Sequence, residues 1–184
     1  MAEPVIFQSL SQIEDYRQKI RRNLSATMDA LGEILKREEP FAFFHKMKYE
    51  KFSKEPVSGA PENLLEAVNQ CQTYLVSLRG AEYLLQKYPE KSFRLNWGNV
   101  SGHDLESLDG SIIAECFAAT SYRSNGKLLA DLRRLESNQT AREKYEFFYS
   151  PDFDQGKLQS YTRKFPCICT IALSQRELSP AMRP

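Results

Sequence analysis

Apolar residues recur at helical spacing along two long stretches of the chain and at alternate positions along several short ones. Ile13, Tyr16, Ile20, Leu24, Met28, Leu31 and Leu35 keep a helical rhythm to about Lys36, and Ser11 followed by Glu14 has capping-box spacing. Pro40 ends that region; FAFFHKMKYEKF (41–52) mixes aromatic and basic residues, and SKEPVSGAP (53–61) reads as a loop. A second long helix is expected from about Glu62 to Lys87, with Leu64, Val68, Cys71, Leu75, Leu78 and Leu85 in one stripe. Position 82 belongs to that stripe but holds Glu82, and a carboxylate there is costly without a partner. Gly80, just before it, is expected to loosen the helix.

Beyond residue 91 the period shortens to two. SFRLNWG (92–98) sets Phe93, Leu95 and Trp97 on one face of a strand. NVSGHDLES holds a short second strand or its approach, LDG (108–110) is a hairpin turn signal, and SIIAECFAAT (111–120) is an apolar strand with one Glu at its centre. Ser124 or Asn125 is expected to cap a helix whose stripe is Leu128, Leu132 and Leu135. KYEFFYS (144–150) alternates as a fourth strand, DQGKLQSYTRKF (154–165) reads as a short helix, PCICTIALS (166–174) as a buried strand, and RELSPAMRP as a frayed tail. Helix, helix, three strands, helix, strand, helix, strand implies an α/β (α+β) fold, a mixed sheet with helices on its faces. One compact domain is expected, with an N-terminal helical extension (1–60), a core (61–175) and a flexible tail (176–184).

Composition narrows the function classes. The 184 residues suffice for one core, and 41% hydrophobic with 27% charged residues is ordinary for a globular protein. A formal net charge of +1 supplies no global field, so a nucleic-acid partner must be met by a local patch. No apolar run is long enough to span a bilayer and the N-terminus lacks the pattern of a secretory signal, so a cytoplasmic protein without a membrane partner is expected. Cys71, Cys116, Cys167 and Cys169 all fall in apolar patterns and are expected to be reduced core residues. The spacing of the cysteines and of the two histidines, His45 and His103, matches no zinc motif.

The charges are sorted along the chain even though they nearly cancel. Residues 101–120 carry Asp104, Glu106, Asp109 and Glu115 with no Lys or Arg, whereas 121–144 carry six Lys or Arg against three acids. Asp109 and Glu106, beside the turn, read as solvated or turn-capping acids. Asp104 and Glu115 lie on opposite arms of the hairpin, where neighbouring strands run about 4.8 Å apart, so their carboxylates can share one hard divalent cation. Cys116 has no ordered Cys–His–Asp pattern around it to make it a nucleophile.

GHD, ten intervening residues, ECF and then a Lys-bearing helix resemble the PD-(D/E)xK nuclease superfamily of restriction endonucleases and Holliday-junction resolvases; with the element order, the resemblance covers residues 62–174. It implies a restriction-endonuclease-like sheet and Mg²⁺- or Mn²⁺-dependent hydrolysis of DNA. Asp104 matches the first motif acid, Glu115 the second, and Glu82 the extra acid that many members carry on the preceding helix. The family's lysine two residues after the second acid is replaced by Phe117. Some members move that lysine to the following helix, which makes Lys127 the catalytic candidate and Arg123 the next. His103 is a candidate general base or DNA contact, and Arg123, Arg133 and Arg134 are candidate phosphate contacts. The outer helices are expected to serve a homodimer or the target. The alternative is a catalytically degenerate member, motivated by Phe117, that binds nucleic acid or protein without cleaving; a third reading makes the acids purely structural.

Overall fold

The computed structural model describes residues 3–98 and 101–178. A short strand β1 (Val5–Phe7) leads into α1 (Leu10–Arg37) and α2 (Pro40–Tyr49), followed by a two-residue-per-arm hairpin of β2 (Ser53–Lys54) and β3 (Pro61–Glu62). Then come α3 (Leu64–Lys87), the strands β4 (Phe93–Leu95), β5 (Leu105–Ser107) and β6 (Ile112–Ala118), and α4 (Lys127–Ser137). The chain continues through β7 (Glu143–Tyr149), α5 (Leu158–Lys164), β8 (Cys169–Ala172) and α6 (Gln175–Leu178). Six strands form one sheet in the order β1-β4-β5-β6-β7-β8. The junctions from β1 to β6 are antiparallel, and β6, β7 and β8 are parallel. Parallel neighbours need crossover connections, and α4 and α5 supply them. This is the mixed sheet with flanking helices that the sequence implies.

The two faces of the sheet hold separate cores. On one, α1 and α3 cover Phe93, Leu95, Leu105, Ala114, Cys116, Tyr145 and Phe147. On the other, Leu128, Leu132 and Leu135 of α4, with Phe165 and Ile168, cover Ile113, Phe117 and Phe148. α3 lies between sheet and α1 and is therefore buried on more than one stripe: Ala67, Tyr74, Val76, Ala81 and Leu84 are inside, while Val68, expected in the stripe, is 50% exposed. Gly80 is explained by packing rather than helix loosening. A Cβ there would stand 2.9 Å from the Phe147 ring and 3.1 Å from Leu105, so the glycine lets α3 approach the sheet. Trp97 locks the far end of this core, stacked on Tyr16 at 5.6 Å and edge-on to Tyr74 at 4.7 Å.

Several local expectations are corrected. The capping box of α1 is Ser9 with Gln12, two residues earlier than Ser11 with Glu14, because β1 ends at Phe7 and the chain turns there. The last turns of α1 run past the core, leaving Met28 and Leu35 mostly exposed. Pro40 starts α2 as well as following α1: it occupies the first turn, where a missing N–H costs nothing, behind a Glu39 side-chain cap. Neither Ser124 nor Asn125 caps α4. Asn125 takes a left-handed conformation within a 3₁₀ turn and Gly126 is the N-cap, without a side-chain bond. Cys167 and Cys169 are exposed, unlike the buried Cys71 and Cys116, because the short β8 lies at the sheet edge. In the tail, Gln175–Leu178 is helical and Leu178 is buried against the first core; 179–184 lie outside the described residues. Among the described residues no helix is long and apolar enough to cross a membrane.

Candidate functional site

β5 pairs with β6 through Leu105–Ala114 and Glu106–Ile113. One step further along that register Asp104 stands opposite Glu115, just before β5 begins, where β6 keeps its β7 partner but no longer its β5 one. The Asp104 carboxylate takes over from the lost ladder by accepting the Cys116 N–H at 2.8 Å. Glu115 falls on the β6 face that carries Ile113 and Phe117, under α4, and is fully buried. A carboxylate in that position must be compensated. Arg134 reaches down from α4 with a two-pronged fork, Nε to Oε1 at 2.7 Å and Nη2 to Oε2, and the Nδ1 of His103 lies 2.5 Å from Oε1.

The histidine is oriented by its other nitrogen. Asn138 accepts the Thr140 and Ala141 N–H groups through its oxygen, which turns its Nδ2 toward His103 Nε2 at 3.3 Å. With Nε2 accepting, Nδ1 carries the proton and donates it to Glu115. His103 therefore supports Glu115, and neither ring nitrogen is left to act as a base. Lys127, in the first turn of α4, donates to Asp131 Oδ1 at 2.6 Å, with its own side chain 46% exposed and that of Asp131 5%. Its charge also acts on Asp104 and Glu115.

The structure thus brings Asp104, Glu115, Lys127, His103 and Arg134 together and leaves the other candidates elsewhere. Glu82 sits at the α1–α3 contact, bonded to Arg17 at 2.7 Å and Arg79 at 2.9 Å. It breaks its stripe because these two guanidiniums are there, and it shares no partner with the Asp104–Glu115 group. Arg123 donates to the Tyr122 hydroxyl at 2.9 Å and stacks on that ring. Arg133 is exposed on the outer face of α4. Asp109 is a turn residue, held by Ser107, Ser111 and Lys91, and these bonds keep its carboxyl well below the usual range. Phe117 is buried and stacked on Phe148 at 5.4 Å, a core residue on the α4 side.

Two members of the cluster are new. Glu146 pairs in register with Glu115 across β6 and β7; it is fully buried, and neither of its oxygens has a partner. Asp131 leaves its Oδ2 unpartnered and buried. Both carried a signal in the sequence. Glu146 interrupts an apolar strand as Glu115 does, and Asp131 lies four residues after Lys127 between Leu128 and Leu132.

Burial and mutual repulsion sort these acids. Burial, then the charge of Glu115, pushes Asp104 up to about 7. Burial would raise Glu115 too, but hydrogen bonds from His103 and Arg134 outweigh it and hold Glu115 below its ordinary value. Glu146 is pushed well above its ordinary value by burial and by the charges of Asp131 and Glu115, which favours its neutral form.

An open cleft of about 900 Å³ reaches this cluster, lined by Asp104, Cys116, Phe117, Lys127 and Arg134 on one side and by Asn69, Gln70 and Thr73 of α3 on the other. The other acids that line it are Glu55 and Glu62 of the β2–β3 hairpin and Glu66 in the first turn of α3. Asp104 and Glu115 have the hard-oxygen chemistry that a divalent cation prefers. Among the described residues, though, no group of three or more His, Cys, Asp or Glu is arranged to hold a metal ion, and Arg134 already neutralises Glu115. Comparison of the chain with family models, with curated proteins and with solved structures finds no match.

Proposed function

We propose that the chain is a divalent-metal-dependent nuclease that hydrolyses phosphodiester bonds of DNA, with Asp104, Glu115 and Lys127 as its working residues. The observation that carries this reading is a convergence. Two carboxylates from adjacent strands and one lysine from the following helix converge where β5 and β6 part, Asp104 and Lys127 lining a cleft and Glu115 buried behind them. The succession α3, antiparallel β4-β5-β6, α4 and parallel β7 supports the PD-(D/E)xK resemblance from a second direction. Phe117 fills the core under α4, and Lys127 supplies from the helix the cation that position 117 lacks.

Asp104 and Glu115 would hold the metal, which when bound neutralises phosphate charge and lowers the pKa of water. The chain's own groups do the rest. The Lys127 ammonium, half-exposed at the cleft and anchored by Asp131, presents donors to a phosphate oxygen and stabilises charge developing there. His103 keeps Glu115 aimed. Asp104, with its carboxyl raised to about 7, is fully ionised only above that pH, so cation affinity rises as pH climbs through neutrality.

A second reading, a nucleic-acid-binding module that does not cut, is favoured by the Arg134 fork on Glu115. Titration of Mn²⁺ and Mg²⁺ into wild type, Glu115→Ala and Lys127→Ala, followed by incubation with plasmid and short duplex DNA, separates the two. The nuclease binds metal, loses it in Glu115→Ala, and cuts about 100-fold more slowly in Lys127→Ala with metal binding kept. DNA binding without cleavage in either metal sinks the nuclease and leaves the module; absence of metal and DNA binding sinks both.

A further inference from the structure

We infer that the cleft reads an unpaired guanine, whose N–H edge meets Glu55 and Gln70 while its phosphate lies at Lys127. This rests on the nuclease reading above for the phosphate and names the substrate class, a strand unpaired beside the bond to be cut.

The two walls of the cleft are opposite in kind. The α4 wall offers donors, the Lys127 ammonium and the Arg134 guanidinium, each about half exposed. The wall made by α3 and the β2–β3 hairpin offers acceptors. Glu55 is 4% exposed there, and its Oε2 accepts the Val57 and Ser58 N–H groups, which shapes the turn. That role needs one oxygen; among the described residues the other, Oε1, is buried without a partner. Gln70 of α3 repeats the pattern, its Oε1 buried and also unpartnered. Tyr74 lines the same wall as a neutral hydroxyl, pushed up by burial and then by the charge of Glu55, and makes no hydrogen bond to either oxygen.

Two buried acceptors on one wall carry a desolvation cost that an incoming donor recovers. Glu62 and Glu66 add negative charge to that wall, so a phosphate is turned away from it and toward Lys127. The strand therefore lies one way round, phosphate against α4 and base toward α3.

Bases differ in what they bring to such a wall. Guanine carries N1–H and the N2 amino group side by side on one edge. Adenine and cytosine each present one amino group next to a ring-nitrogen acceptor, which a carboxylate repels. Thymine has a single N–H between two carbonyls. A wall of acceptors ranks guanine first and thymine last. In a duplex the same edge of guanine is already paired, so the base must be unpaired to reach Glu55 and Gln70.

Fluorescence anisotropy of labelled twelve-nucleotide thymidine strands, each with one central guanine, adenine, cytosine or thymine, tests this on the full chain without added metal. The guanine strand is expected to bind about tenfold more tightly than the all-thymidine strand, and the corresponding duplexes to bind alike. Glu55→Gln keeps one oxygen for the turn and leaves an NH₂ group where Oε1 was, so the guanine preference is expected to disappear. Gln70→Met removes the second acceptor without touching the turn; it is expected to narrow the preference, and it decides the matter should Glu55→Gln fail to fold. Equal affinity for the four strands, no binding of any of them, or an unchanged preference in the folded variants overturns the base site. Incubation of the same strands with Mg²⁺ reads the nuclease separately. A guanine preference that falls in the variants, without cleavage of any strand, sinks the nuclease and upholds the base site of a binding module.

Discussion

The two faces of the sheet follow different rules. Under α1 and α3 the facing strand residues are apolar and tightly fitted, and the carboxylate that interrupts the α3 stripe, Glu82, is matched by two arginines at a partly exposed contact. Under α4 an apolar core is crossed by Glu115, Glu146 and Asp131, which have fewer partners than oxygens. A buried polar atom without a partner costs stability; the first core has one in Trp97 Nε1, but among the two cores only the α4 face leaves carboxyl oxygens in that state, on Glu146 and Asp131. The first face should respond to substitution as a core does, and the second as a functional centre whose removal is tolerated or even stabilising.

The largest effect is expected on the α1–α3 face. Phe147 is fully buried, 5.5 Å from Tyr83 and against the Cα of Gly80. Phe147→Ala should cost about 3–5 kcal/mol in chemical denaturation. The affinity of the remaining folded protein for Mn²⁺ should not change. A loss of only a few tenths would mean that α3 does not lie on the sheet as described.

The site face should respond through pH. Asp104 has its carboxyl raised from 3.8 to about 7, so between those values the folded chain holds a proton that the unfolded chain has released. Stability therefore falls as pH rises across that window. Asp104→Asn keeps an acceptor for the Cys116 N–H and removes the titration. It should match wild type near pH 4 and exceed it by about 2 kcal/mol at pH 8, with Mn²⁺ binding lost. Parallel stability–pH curves for the two proteins would mean that Asp104 does not titrate there.

Much of this division was legible in the chain. The α1 and α3 rhythms, the meander and the crossover after β6 follow from periodicity, and an acid inside an apolar strand marked Glu115. What failed to show has physical reasons. β1 is three residues long, too short for a period, and its order comes from pairing with β4. α2 has no buried residue and so no stripe. The same anomaly that pointed to Glu115 also marked Glu82, because a stripe reveals that a carboxylate needs a partner and not which one arrives. Arg17 is 65 residues away from Glu82 and His103 only 12 from Glu115; a sequence pattern does not distinguish such partners.

Glu146 sharpens the contrast further. Its buried carboxyl is pushed toward the neutral form and makes no hydrogen bond to the protein, so burial costs it without return. Glu146→Leu, close in volume and on the α4 side of β7, should raise stability by about 1–2 kcal/mol at pH 7, measured by urea unfolding. An equal or larger loss would indicate that Glu146 has a partner that the cluster depends on.

The smallest effect belongs to Glu82, and it tests whether the two faces are independent. Burial raises its carboxyl, but the bonds from Arg17 and Arg79 prevail and bring it below the ordinary value. A lowered carboxylate stabilises the fold above its unfolded pKa, and that contribution fades as pH falls through the folded one. Its side chain is 22% exposed, beside guanidiniums that water also reaches, so Glu82→Gln should cost less than about 1 kcal/mol at pH 7, and the cost should shrink as the solution is acidified. Mn²⁺ affinity should match wild type, because Glu82 spends its charge on α1 and none on the cleft. Loss of metal binding in Glu82→Gln would join the two faces into one site and return to Glu82 the role that the nuclease resemblance implies.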